Sequence, residues 1–180
     1  MLHITIPGVE LWDEVHEEFV KVKEQSLSLE HSLVSLSKWE SKWCKSFLNT
    51  KEFTSEEFLD YVKCMTITQN VNDDVYTRLT NDHVTQIKEY INAPMTATTF
   101  SNLPQGKKNN EIVTNELIYY WMTVHNIPFK CEKWHLNRLM TLIRVCNVKS
   151  AKPKKMSRRQ IMNQNAALNA ARREKLNTSG

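Results

Sequence analysis

Two residues in this 180-residue chain have the types and spacing for chemistry. Cys131-Glu132-Lys133-Trp134-His135 puts a thiol and an imidazole four residues apart, one helical turn. On a helix that spacing serves two zinc ligands, or a nucleophile with its base. Neither reading finds support elsewhere in the chain. No second Cys/His pair stands nearby, and no glycine-bearing turn is present to expose the thiol or build an oxyanion hole. The six histidines (His3, His16, His31, His83, His125, His135) are scattered, with no HExxH or HxH. The acid pairs Glu17-Glu18, Glu56-Glu57 and Asp73-Asp74 are sequence neighbours, so on a helix they point in different directions. With three glycines in all, there is no P-loop, GxGxxG or GxSxG. The residues therefore point away from an enzyme, and they imply no cofactor and no metal. The four cysteines (Cys44, Cys64, Cys131, Cys146) form no CxxC pair and read as free thiols of a reducing compartment.

Charge is the second signal. Residues 149–180 carry nine Lys/Arg against Glu174 alone, a net of +8, whereas residues 1–148 carry 15 basic and 19 acidic groups, a net of −4. Lys152, Lys154, Lys155, Arg158 and Arg159 form a basic cluster able to neutralise phosphates. No aromatic lies among them to stack on bases. At this point a solvated or partner-binding tail outweighs a nucleic-acid tail, without closing that alternative.

The elements that must position these groups are mostly helical. Few glycines and prolines disfavour a turn-rich all-β fold. Leu2–Ile6 alternates like a short strand, and Pro7-Gly8 ends it. Trp12, Val15 and Phe19 form a weak helical or extended face, while Phe19–Glu24 and Ser26–Leu29 read as further strands. Two or three short strands are expected within residues 1–30. From about Glu30, Leu29, Leu33, Leu36, Trp43 and Phe47 fall at helical spacing for about four turns, widened by Trp39 and interrupted by Glu40. Thr54-Ser55-Glu56-Glu57 is a capping box for a helix that buries Phe58, Leu59, Val62 and Met65 and ends near Thr68–Asn70. Shorter helices follow through Val75, Tyr76 and Leu79, and through Val84, Ile87 and Ile91. Asn92-Ala93-Pro94 stops the last of these.

Residues 95–110 read as an exposed loop. A helical hairpin over about 112–125 and 131–146 then turns at Asn126–Phe129. It is the densest apolar block, with Tyr119, Tyr120, Trp121 and Trp134. Three adjacent aromatics cover more of a helix than one core face needs, so part of Tyr119, Tyr120 or Trp121 is expected to meet solvent or a partner. Pro153 breaks the chain. Ser157 caps a last, alanine-rich helix through Ile161, Met162, Leu168 and Leu176, too poor in large apolar residues to fill a core. The expected architecture is mainly α: a helical body over 1–150 with a small N-terminal β element, and a basic helical tail over 151–180. No run reaches the ~20 apolar residues of a membrane span.

Several blocks of text carry a family resemblance: Leu29-Glu30-His31-Ser32-Leu33 running into Ser37-Lys38-Trp39-Glu40-Ser41-Lys42-Trp43; Glu116–Met122; Trp134–Leu139; Lys154–Ser157; and Ala167–Arg173. Together they resemble the tail assembly chaperones of long-tailed bacteriophages. The resemblance implies a non-enzymatic protein of the infected host's cytoplasm that leaves before the virion is finished. Its implied partners are the tape-measure protein and the tail-tube protein, with self-association left open. Many such proteins also have a longer, frameshifted form. No catalytic residue is carried over. The candidate partner-binding residues are Tyr119, Tyr120, Trp121, Lys154, Lys155, Arg158, Arg159, Arg172 and Arg173. The alternatives are a structural neck or tail connector of the virion and a nucleic-acid-binding regulator acting through the tail.

Overall fold

In a computed structural model the described residues are 1–13, 18–100, 111–150 and 157–177. They form a mainly α protein with a small antiparallel β element at the N-terminus. The chain divides into two compact units, Met1–Cys146 and Asn147–Gly180.

The β element is one long hairpin with a break in it. β1 (Leu2–Ile6) pairs with β4 (Gln25–Leu29), and β2 (Val9–Asp13) pairs with β3 (Glu18–Val22). Four strands thus stand where two or three were expected, because Val9–Asp13 is extended too. Val15 lies outside the described residues. The register is the same on both sides of the break: Ile6 faces Gln25 and Val9 faces Val22. Proline has no N–H for the ladder, so Pro7 suits the interruption. Arg78 Nη1 donates to its carbonyl at 2.9 Å. Gly8 is required there for space. A Cβ at this position would lie 2.8 Å from the Val22 carbonyl oxygen and 3.2 Å from the Glu24 nitrogen, both backbone atoms. Gly8→Ala is expected to cost about 1–3 kcal/mol, the range for overpacking; a urea midpoint equal to wild type would contradict this.

Alternation aims Ile4, Ile6, Leu27 and Leu29 at a first core and leaves His3 and Thr5 exposed. That core also takes Trp39 of α1 (Leu33–Trp43), Tyr61, Val62 and Met65 of α2 (Ser55–Met65), Val75 and Tyr76 of α3 (Asp74–Thr77), and Ile87 and Tyr90 of α4 (Asn81–Asn92). A second core takes Leu33 and Leu36, from the other side of α1. They pack with Ile118 and Met122 of α5 (Asn115–Val124), with Ile127 and Cys131, and with Leu136, Leu139 and Ile143 of α6 (Leu136–Ser150). α1 is therefore the wall between two cores, and half-buried Phe47 packs against both.

Three boundaries differ from the sequence reading. α1 ends at Trp43 because Cys44 takes a left-handed conformation (φ 51°) as its C-cap, so Phe47 reaches the core from a loop. α2 ends at Met65, and Tyr61 fills the place expected of Phe58 and Leu59, which are half-buried. Phe129–Lys133 is a 3₁₀ turn and Trp134 is extended, so the second helix of the hairpin begins at Leu136. In the second unit, Ser157 and Gln160 form a capping box that opens α7 (Arg158–Leu176). None of its residues is buried.

Candidate functional site

The 3₁₀ turn undoes the proposed Cys131/His135 pair. The two residues share no helix face: Cys131 belongs to the second core, while His135 is extended and bridges to Ser32. His135 meets a different histidine. The His31 and His135 rings lie 5.1 Å apart, edge to face, and both are buried. The backbone builds this pair, because Leu136 N–H donates to the His31 carbonyl at 2.7 Å where the chain leaves β4 for α1. Spacing could not have shown it, since over a hundred residues separate the partners.

The hydrogen bonds fix the protonation of both rings. Burial pushes the Tyr61 phenol far up, so its O–H donates to His31 Nδ1, 2.5 Å away. His135 Nε2 donates to the Tyr90 carbonyl at 3.0 Å, and its Nδ1 accepts from Asn137 N–H at 3.3 Å. Both rings are thus held as neutral imidazoles, and His135 is bonded through both of its nitrogens. Burial, then the neighbouring His135, lowers His31 to about 3; burial also lowers His135. A base so weak is poorly matched to proton transfer near neutrality. Around the pair, Tyr90 O–H donates to Glu30 Oε1 at 2.7 Å, and Glu30 Oε2 pairs with the amino group of Met1 at 3.1 Å. Asn137 Nδ2 holds the end of α4 through the Ile91 and Ala93 carbonyls. These bonds tie the start of α1, the end of α4 and the start of α6 together.

Glu40, the polar interruption of the α1 stripe, has the same character. Its Oε1 accepts from Phe47 N–H at 2.8 Å, and its Oε2 accepts from the Asn115 N–H and Nδ2 at 2.7 and 2.8 Å. Thr114, the N-cap of α5, makes no side-chain cap bond. Glu40 supplies that cap from another helix. Trp39 Nε1 donates to the Glu57 carbonyl at 2.9 Å, and Trp43 Nε1 to Asp60 Oδ2 at 2.9 Å, while Lys42 also pairs with Asp60. Among the described residues no three His, Cys, Asp or Glu side chains cluster to hold a metal ion. Cys64 is half-buried, and burial followed by Asp60 raises its thiol.

What remains available is surface. Tyr120 is 61% exposed, Val124 one turn on is 53%, and Phe129 is 59%. Tyr119 and Trp121 are half-buried against the second core. Tyr119 donates to Glu132 Oε2 at 2.9 Å, and burial plus that carboxyl pushes its phenol up to about 12. Its ring lies 6.3 Å from that of Phe129. Of the three aromatics expected to show surface, Tyr120 is the open one. An open groove of about 1160 Å³ runs beside α2, α3 and α4, and its lining includes Phe53, Phe58, Leu79 and Val84 together with Lys51 and Lys88. Arg158, Arg159, Arg172 and Arg173 are exposed on α7; Lys154 and Lys155 lie outside the described residues. No helix among the described residues is long and apolar enough to cross a membrane. Comparison of the chain with protein-family models, curated proteins and solved structures finds no match.

Proposed function

We propose that this chain is a non-enzymatic tail assembly chaperone of a long-tailed phage. It holds the tape-measure protein in solution in the host cytoplasm while tail-tube subunits polymerise, and it is absent from the finished particle. One observation supports the reading: the buried histidines and Glu40 are engaged in packing, while Tyr120 and Val124, one turn apart on α5, are left uncovered. Exposed apolar side chains one helical turn apart suit an interaction site, and large aromatics anchor such sites.

The test is co-expression with the tape-measure protein. Soluble tape-measure protein is expected only when this chain is present, and an equal yield without it would sink the reading. Tyr120→Ala is expected to weaken the complex about 30-fold, the effect of losing a hot spot worth ~2 kcal/mol. Tyr120 is exposed, so the variant's unfolding midpoint should match wild type. Mass spectrometry of purified particles should find the chain far below stoichiometry; a stoichiometric amount would favour a virion component instead.

A further inference from the structure

Helix α7 stands apart from the rest of the molecule in chemistry. It runs 19 residues with both ends capped by its own sequence and with no residue buried. Its arginines come as two pairs, Arg158-Arg159 and Arg172-Arg173, 14 residues apart. At 1.5 Å per residue the pairs are ~21 Å apart along the axis, and at 3.6 residues per turn all four fall within an arc of about 140°. Met162, Asn165, Ala166 and Asn169 lie in the same arc, between the pairs. Glu174, the sole acid of the helix, falls about 60° outside it.

We propose that α7 binds B-form duplex DNA, lying in the major groove with each arginine pair on the phosphates of a different strand. The major groove is about 12 Å wide and admits an α-helix, so a 21 Å spacing reaches the phosphate rows on both sides. Asn165 and Asn169 sit one turn apart on the inward arc, and asparagine pairs through two hydrogen bonds with the adenine edge. Ala166 lets the helix axis approach closely, and Met162 offers apolar contact to thymine methyl groups. The helix has no Phe, Tyr or Trp. Single-strand recognition depends on such stacking platforms, whereas a duplex has no free base faces to stack on. The deep, narrow major groove of A-form RNA excludes a helix. This activity is separate from the chaperone reading and is tested without the tape-measure protein.

The experiment is fluorescence anisotropy of the full chain with labelled 20-base-pair duplexes. Four phosphate contacts predict that affinity for mixed-sequence DNA falls at least about 150-fold between 50 and 200 mM NaCl. R158Q/R159Q and R172Q/R173Q should each shrink that salt factor about 12-fold. Wild type should prefer the mixed duplex over a G·C-only duplex at least about fivefold, and N165A/N169A should lose the preference with the salt factor unchanged. All these side chains are exposed, so the body stays folded in every variant. The proposal is overturned by no binding at 50 mM NaCl, or by a salt factor unmoved in both glutamine variants. It is equally overturned by a base preference that survives N165A/N169A, or by equal affinity for duplex RNA or polyglutamate.

Discussion

Acidification from pH 7 to pH 5 is expected to remove about 2 kcal/mol of stability from the Met1–Cys146 unit through His31 alone. In the folded chain His31 titrates at about 3, against 6.5 for the exposed side chain. Between those values the unfolded chain binds the extra proton and the folded chain does not, so stability falls as pH falls. The contribution is complete above about pH 6.5 and is lost progressively as pH falls to about 3, where the loss is about 4 kcal/mol. His135 acts in the same direction. Carboxylates held low, such as Glu57 beside Lys45 and the Thr54 N–H, begin to matter only from about pH 5 downward. The window from 6.5 to 5 therefore isolates the histidines. His31→Gln keeps an acceptor for the Tyr61 hydroxyl but cannot titrate. Urea unfolding across that window should show a pH slope smaller in H31Q by about one proton; an unchanged slope would place the acid sensitivity elsewhere.

Glu40→Ala is expected to cost about 4 kcal/mol. The substitution leaves three N–H groups without an acceptor: the Phe47 amide, and the backbone and side-chain nitrogens of Asn115. A buried donor stripped of its partner costs about 1–3 kcal/mol. The Asn115 pair is fully buried and Phe47 only partly so, and the freed α5 end can relax toward solvent, which sets the total toward the lower end of the summed range of about 3–9 kcal/mol. Glu40→Gln keeps one acceptor oxygen and should recover roughly half of the loss. Hydrogen exchange gives the mechanism its own readout. The first-turn amides of α5 should exchange faster in E40A, while those of α2 keep their protection relative to global stability. A uniform change would mean that Glu40 is not the cap of α5.

Local signals in the chain survived contact with the structure, and long-range ones were invisible in it. The capping box at Thr54/Glu57 and the Ser157 cap were legible because such caps act within three residues; Gln160, which completes a second box with Ser157, is added by the structure. Also legible was the mainly helical class, which follows from apolar spacing and scarce glycine. Phe47 kept the α1 period by accident: Cys44 turns left-handed, and Phe47 reaches the same core from a loop. Cys131 and His135 looked like a helical pair because their spacing is right. A 3₁₀ turn has a different period, and tertiary pairing of His135 with Ser32 decided the backbone there. Glu40 looked like a flaw in an apolar stripe, since its partner Asn115 lies 75 residues away. The His31–His135 pair left no local trace at all. Of the candidate surface, Tyr120 was within reach of a circumference argument; Phe129, whose ring lies near that of Tyr119, was placed in the turn but not on the surface.

The position of α1 between two cores sets a problem of timing. Leu33 and Leu36 leave the ribosome about a hundred residues before Leu136 and Leu139, which cover them. At 5–20 residues per second, that is roughly 5–20 s of synthesis. During this interval α1 can close its Trp39 side against β1, β4 and α2, but its other side has nothing to meet. The nascent chain thus passes through a half-covered stage in which its central helix is itself an exposed apolar ligand. A destabilised hairpin over α5 and α6 would prolong that stage, and loss of yield during synthesis would precede any loss of stability measured on the finished protein.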